Sequence, residues 1–110
     1  MSGEVYVGEL EHQLLLIVLH LGGDAYANPI REMLASAAGR PLARGALYTA
    51  LERLELKGCL RSTLGESLRE RGGRPRRYFT VTPAGLRALR QSRRVLLGLW
   101  KGLESKLEPS

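Results

Sequence analysis

Residues 44–81 read RGALYTALERLELKGCLRSTLGESLRERGGRPRRYFTV, and the change of period inside this stretch decides the fold. In its first part Leu47, Leu51 and Leu54 recur at i, i+4 and i+7, which puts them on one stripe of a helix spanning roughly residues 44–57. Gly58 then stands where a helix C-terminal glycine belongs. The stripe leaves Arg44, Tyr48, Thr49, Glu52 and Arg53 wholly or partly on other faces, free to contact something else. From Leu60 the period changes. Residues 60–64 and 77–81 are rich in β-formers and read as the two strands of a hairpin. Between them, residues 65–76 are polar and glycine-containing, with Arg69, Arg71, Arg74 and Arg76 against Glu66 and Glu70. A loop this long and basic is unusual unless it reaches for something.

Upstream, Leu10, Leu14, Leu15, Ile17, Val18 and Leu21 fall at helical spacing over residues 8–21, and Gly22-Gly23 stops the pattern. A second helix, capped by Asp24 or Asn28 with Pro29 near its start, runs to about Ala38 and turns Ile30, Met33 and Leu34 inward. Gly39-Arg40-Pro41 ends it. Downstream, Thr82-Pro83 restarts helix, with threonine as N-cap and proline at the first helical position. This helix is expected to reach about Leu107, because Leu86, Leu89, Arg93, Leu96, Trp100, Leu103 and Leu107 follow one another at alternating spacings of 3 and 4, a heptad seam. Residues 1–7 and 108–110 read as unstructured. The fold class is mainly α with a small β-hairpin: a winged helix-turn-helix followed by a long C-terminal dimerisation helix. The expected division is a DNA-binding domain over residues 8–82 and a dimerisation helix over residues 83–107.

Length and composition agree with a single core, since 110 residues are too few for two ordinary domains. Hydrophobic residues make up 44% of the chain but aromatics only 5%, so the core must come from Leu, Ala, Val and Ile. The charge is uneven. Residues 1–55 carry four basic and seven acidic side chains, net −3, and residues 56–110 carry thirteen basic and four acidic, net +9. Clustered arginine of this kind favours a polyanionic partner, whose counterions it can replace. The longest apolar run, residues 14–19, is far below membrane-spanning length, and the N-terminus lacks the order of a signal peptide, so a cytoplasmic protein without a membrane partner is expected. Cys59 is the sole cysteine, which excludes an internal disulfide and a cysteine-based zinc site, and it reads as a buried small hydrophobe. His12 and His20 have no ligand partners at metal spacing. Neither metal nor cofactor is expected. No nucleophile triad, phosphate-binding glycine motif or carboxylate pair stands out, so no catalytic residue is assigned and an enzyme is not expected.

At these residues the chain resembles the PadR-like transcriptional regulators, in the short form that lacks a separate C-terminal domain. The matching stretches are residues 14–21 with Tyr26, the block from Gly45-Ala46-Leu47-Tyr48 to Glu55, Lys57-Gly58, Gly72-Gly73-Arg74-Pro75-Arg76-Arg77-Tyr78, and Val81-Thr82-Pro83-Ala84-Gly85. The resemblance covers about residues 8–107. It implies a repressor-type homodimer on a double-stranded DNA operator, with the third helix in the major groove and the wing on the flanking backbone or minor groove. The chain departs from the family pattern at Ala43, where a serine commonly caps the recognition helix, and at Asn28-Pro29, which replaces the usual glycine-aromatic region.

The residues assigned to DNA are Arg44, Tyr48, Thr49 and Arg53 on the third helix and Arg69, Arg71, Arg74, Arg76 and Arg77 in and beside the wing. Tyr48 can meet a phosphate or base edge, or it can seal its helix against the domain. Gly73-Arg74-Pro75 suits an arginine in a narrow minor groove, with a solvated hairpin tip as the plainer alternative. Leu86, Leu89, Leu96, Trp100, Leu103 and Leu107 are assigned to dimerisation. By resemblance, Trp100 with Leu96 and Leu99, and with Val95 and Leu103 beside them, can hold a small planar apolar effector; otherwise Trp100 and its two-fold mate fill the seam. The rival reading of the chain is a winged-helix protein-interaction module without specific DNA binding, and the basic wing argues against it.

Overall fold

The computed structural model describes residues 5–67 and 75–108. Helix α1 (Glu9–Leu21) begins where the Glu11 carboxylate turns back to accept the Gly8 N–H at 3.1 Å. It stops at Gly22, whose φ of 57° suits glycine. A 3-10 turn (Gly22–Asp24) leads into α2 (Ala27–Ala38), which ends on left-handed Gly39. The expected caps are not used: Asp24 lies in the preceding turn, Asn28 is already inside the helix, and Tyr26 is the N-cap without a side-chain cap bond. The backbone sets this start instead, since the Tyr26 N–H donates to the Asp24 carbonyl at 3.0 Å and the Tyr26 carbonyl accepts the Ile30 N–H at 3.1 Å. Pro29 then falls in the first turn, where no intrahelical N–H bond is lost.

Helix α3 (Arg44–Leu56) closes with two bonds that require the glycine after it. The Gly58 N–H donates to the Glu55 carbonyl and the Cys59 N–H to the Leu54 carbonyl, both at 2.9 Å, with Gly58 at φ 80°. Strands β1 (Leu60–Ser67) and β2 (Pro75–Val81) pair antiparallel from Leu60↔Val81 to Leu64↔Arg77. They exceed the expected 60–64 and 77–81, because an irregularity between Leu64 and Ser67 lets pairing resume at Ser67↔Pro75. Residues 65–67 and 75–76, expected in the loop, are therefore strand.

Helix α4 (Pro83–Trp100) starts as its sequence requires, with the Thr82 hydroxyl oxygen accepting the Gly85 N–H at 3.0 Å. It ends short of the expected Leu107. Gly102 takes φ 84°, the Glu104 carboxylate accepts the Gly102 N–H at 3.1 Å, and a 3-10 turn (Glu104–Leu107) follows. Glycine at 98 and 102 weakens the helix where the seam spacing asks it to continue. Leu103 and Leu107 thus lie beyond α4.

Leu14, Leu15, Ile30, Leu34, Leu47, Leu51 and Leu54 fill the centre of the three-helix unit, and Cys59, Leu60 and Phe79 close it from the hairpin. Leu89, assigned to dimerisation, is instead buried in this core beside Ala88, because the first turns of α4 pack back onto their own domain. The segment before α1 is also corrected: Val7 is buried in the core, and the Tyr6 carbonyl accepts the Lys57 ammonium at 2.8 Å. That ammonium also meets the buried Glu11 carboxylate at 2.6 Å, tying the start of α1 to the end of α3. Two further bonds position the hairpin. The Phe79 N–H donates to the Ala25 carbonyl at 2.8 Å, and the Thr82 N–H to the Cys59 carbonyl at 3.0 Å.

Candidate nucleic-acid interface

The buried stripe of α3 leaves Arg44, Tyr48, Thr49, Glu52 and Arg53 exposed, as its period requires. Ala43 provides no side-chain cap, so the first-turn N–H groups of α3 are open to an outside acceptor such as a phosphate. The start of α2 lies next to them. A cleft of about 410 Å³ runs between the two helix starts and the root of the wing, lined by Asn28, Arg44, Tyr48, Leu64, Arg76 and Arg77 among others. Two partly positive helix ends and three guanidinium groups thus face one space.

The arginines differ in how they are held. Arg77 Nη1 donates to Ser62 Oγ at 2.9 Å, and Ser62 Oγ donates to Glu55 Oε2 at 2.7 Å, so Arg77 also braces the wing against the end of α3. Arg76 lies over the ring of Tyr26, 4.1 Å from its centroid. The two ion pairs found among the described residues, Glu9 with Arg40 and Glu11 with Lys57, use none of the cleft arginines.

Of the residues assigned to DNA from the sequence, the fold brings Arg44, Tyr48, Arg76 and Arg77 together. Thr49 and Arg53 are exposed on α3 but outside the cleft lining, and Arg69, Arg71 and Arg74 lie outside the described residues. Tyr26 and Asn28 also line the cleft and were not assigned to DNA from the sequence. Their place beside a helix start gave no sign of a shared cleft with the wing.

A second concavity of about 790 Å³ lies between the segment before α1, α1 itself and α4. Val5, Val7, Ala88, Val95 and Leu96 give it an apolar wall, and His12 Nδ1 lies 2.8 Å from Ser92 Oγ at its polar side. Among the residues assigned to an effector, Leu96 and the adjoining Val95 line this space; Trp100, Leu99 and Leu103 do not, and Trp100 and Leu99 stand 41% and 69% exposed further along the helix. The tail of α4 carries a run of exposed apolar side chains, Val95, Leu96, Leu97, Leu99 and Trp100, continued by Leu103 and Leu107.

A helix-turn-helix whose second helix exposes its start beside a basic hairpin defines the winged helix-turn-helix class of DNA-binding proteins. The chain belongs to the PadR-like family of transcriptional regulators, whose sequence profile matches residues 15–91. It is similar to a PadR family transcriptional regulator from Eggerthella lenta DSM 2243, at 30% identity over 93% of this chain and 88% of the other, with a TM-score of 0.66. A PadR-like transcription factor from Bacteroides fragilis is 32% identical over 89% of this chain and 85% of the other, with a TM-score of 0.65. A PadR-like regulator from Bacillus cereus strain ATCC 14579 shares the fold, with a TM-score of 0.71 at 21% identity over 92% and 93% of the two chains. None of the curated proteins matches. Among the described residues no helix is long and apolar enough to cross a membrane.

Proposed function

We propose that this regulator acts in the cytoplasm as a repressor, binding a double-stranded DNA operator as a homodimer. The observation that carries the reading is the single cleft into which the starts of α2 and α3 and the side chains of Arg44, Arg76 and Arg77 all open. The exposed face of α3 enters the major groove, with Arg44, Tyr48 and Thr49 near the bases and Arg53 toward the phosphates. The wing, with Arg69, Arg71 and Arg74, lies on the flanking backbone and minor groove.

A second copy of the chain covers the exposed apolar surface of α4 and of the turn after it, through Leu86, Leu96, Trp100, Leu103 and Leu107, with Leu16 and Leu19 of α1 as further exposed apolar surface. Two-fold symmetry then sets two recognition helices about one DNA turn apart, ~34 Å. A ligand response is supported by the apolar concavity between α1 and α4, whose wall shares Leu96 with this surface. A small planar apolar effector seated there or on Trp100 would bias the spacing of the two DNA-binding units.

The test is a mobility shift with the DNA upstream of the protein's own coding sequence, repeated over a range of salt. Specific retardation is expected, and replacing Arg69, Arg71 and Arg74 with alanine should shallow the log–log salt slope by roughly 0.9 per lost phosphate contact. An unchanged slope removes the wing from the interface. No binding by the unaltered protein to any duplex would favour the protein-interaction module instead.

A further inference from the structure

The root of the wing contains a supported stack. Gly65 in β1 lies beneath Tyr78, and a Cβ at that position would come 2.7 Å from Tyr78 Cε2 and 3.2 Å from Cδ2. Only glycine therefore lets the Tyr78 ring lie across the neighbouring strand. Tyr78 in turn meets Tyr26 edge to face, with centroids 5.6 Å apart and the planes at 67°. The second partner of Tyr26 is the Arg76 guanidinium, 4.1 Å from the ring centroid. Tyr26 itself cannot drift, because its N–H and carbonyl are both bonded and the adjoining Ala25 carbonyl is held by the Phe79 N–H of β2.

We propose that Tyr26 is a positioning residue for DNA binding, which holds Arg76 as a prealigned phosphate clamp with Tyr78 and Gly65 as its support. The inference rests on the proposed function, in which the cleft that Arg76 lines faces the DNA. A guanidinium held over a ring by cation–π attraction spends none of its N–H donors on a hydrogen bond to that ring's hydroxyl, and phosphate oxygens accept from such donors. A long side chain already ordered before binding has less rotamer freedom to lose when the phosphate arrives. Arg77 offers the contrast, since one of its own donors is engaged by Ser62. Tyr26 thereby joins the start of α2 to the root of the wing, so the clamp is fixed relative to the helix-turn-helix.

The full-length protein would be titrated into a fluorescein-labelled random-sequence duplex of about 30 base pairs at low salt, where phosphate contacts dominate affinity. Tyr26→Leu should weaken binding about 10-fold for a dimer carrying two such stacks, and Tyr26→Phe, which keeps the ring, by less than about 2-fold. In an Arg76→Ala background Tyr26→Leu should have no further effect. An equal loss with and without Arg76 overturns the proposal, as does a Tyr26→Phe loss matching that of Tyr26→Leu. If Arg76→Ala itself leaves affinity unchanged, the DNA contact fails first and the positioning role falls with it. Should Tyr26→Leu not fold, Gly65→Ala displaces Tyr78 without touching Tyr26. It should weaken binding about 3-fold, and only while Arg76 is present.

Discussion

Alanine is a better helix former than glycine, yet Gly85→Ala in the first turn of α4 is expected to destabilise the protein. A Cβ at this position would lie 2.8 Å from Val81 Cγ1 and 3.2 Å from the Cys59 carbonyl carbon, and closer still to the Cys59 carbonyl oxygen. That carbonyl cannot retreat freely, since it accepts the Thr82 N–H at 3.0 Å. Overpacking costs typically ~1–3 kcal/mol, and loosening the hydrogen bond adds about 1 kcal/mol. The gain in helix propensity is at most ~1 kcal/mol. The clash wins by about 2 kcal/mol, which lowers Tm by roughly 10 °C in a domain of this size. Gly98→Ala makes the same chemical change in the same helix where no atom lies within 4 Å of the new Cβ. There the propensity term acts alone, and Tm should rise by roughly 4 °C. Thermal unfolding followed by circular dichroism, at one protein concentration for all variants, reads both shifts. If the two substitutions move Tm in the same direction, the close approach of α4 to the end of α3 has no energetic role.

Three other outcomes follow from burial and exposure. Burial pushes the Cys59 thiol up from its ordinary 9.0, Lys57 pulls it down by less, and Glu11 adds to the rise. Ellman's reagent at neutral pH should react with the native protein only at the rate of unfolding, and fast labelling without denaturant would contradict this burial. Because the unfolded thiol ionises first, this group favours the native state below the ordinary thiol range and the contribution is lost as pH rises through it; Cys59→Ala should flatten that part of the stability profile. Leu96→Asp sets a carboxylate on the exposed apolar tail of α4 and should cost the dimer several kcal/mol while leaving the helical circular dichroism in place. Sedimentation at micromolar concentration should give a dimer for the unaltered protein and a monomer for the variant, and a stable unaltered monomer removes the seam.

Period and punctuation made the three helices, the hairpin and the start of α4 legible in the sequence. Leu47, Leu51 and Leu54 identify the inner face of α3 because the stripe exists only if that face is buried, and Gly58 marks its end because the closing bonds need a positive φ. The same logic failed where one pattern serves two masters. Leu89 obeys the heptad spacing of Leu96 and Trp100, but it is close enough to Thr82 to pack into the chain's own core. The spacing also runs on through Leu103 and Leu107, whereas the backbone turns at Gly102. Part of the cleft was readable, since arginines on an exposed helix face and at a hairpin root announce themselves. The Tyr26 stack was not, because its members come from α2's start and from the two hairpin strands, segments far apart in the chain that meet only in the folded protein, where the Phe79 to Ala25 hydrogen bond is one of the links.

Thr82 makes four bonds within one residue: its N–H donates to the Cys59 carbonyl, its hydroxyl donates to the Gly58 carbonyl at 2.5 Å, its hydroxyl oxygen accepts the Gly85 N–H, and its carbonyl accepts the Leu86 N–H at 2.9 Å. Gly58 and Cys59 are also the residues that finish α3. Mechanically, this is a pivot with α4 as its lever. The 18 residues of α4 extend about 27 Å at ~1.5 Å per residue, so a swing of about 5° at Thr82 carries the far end through roughly 2 Å. Read in reverse, a displacement of that size between two α4 tips is geared down at the pivot to a small rotation of each recognition helix. A displacement of the C-terminal helix therefore reaches the end of α3 through this threonine, and reaches α1 through the His12 to Ser92 contact.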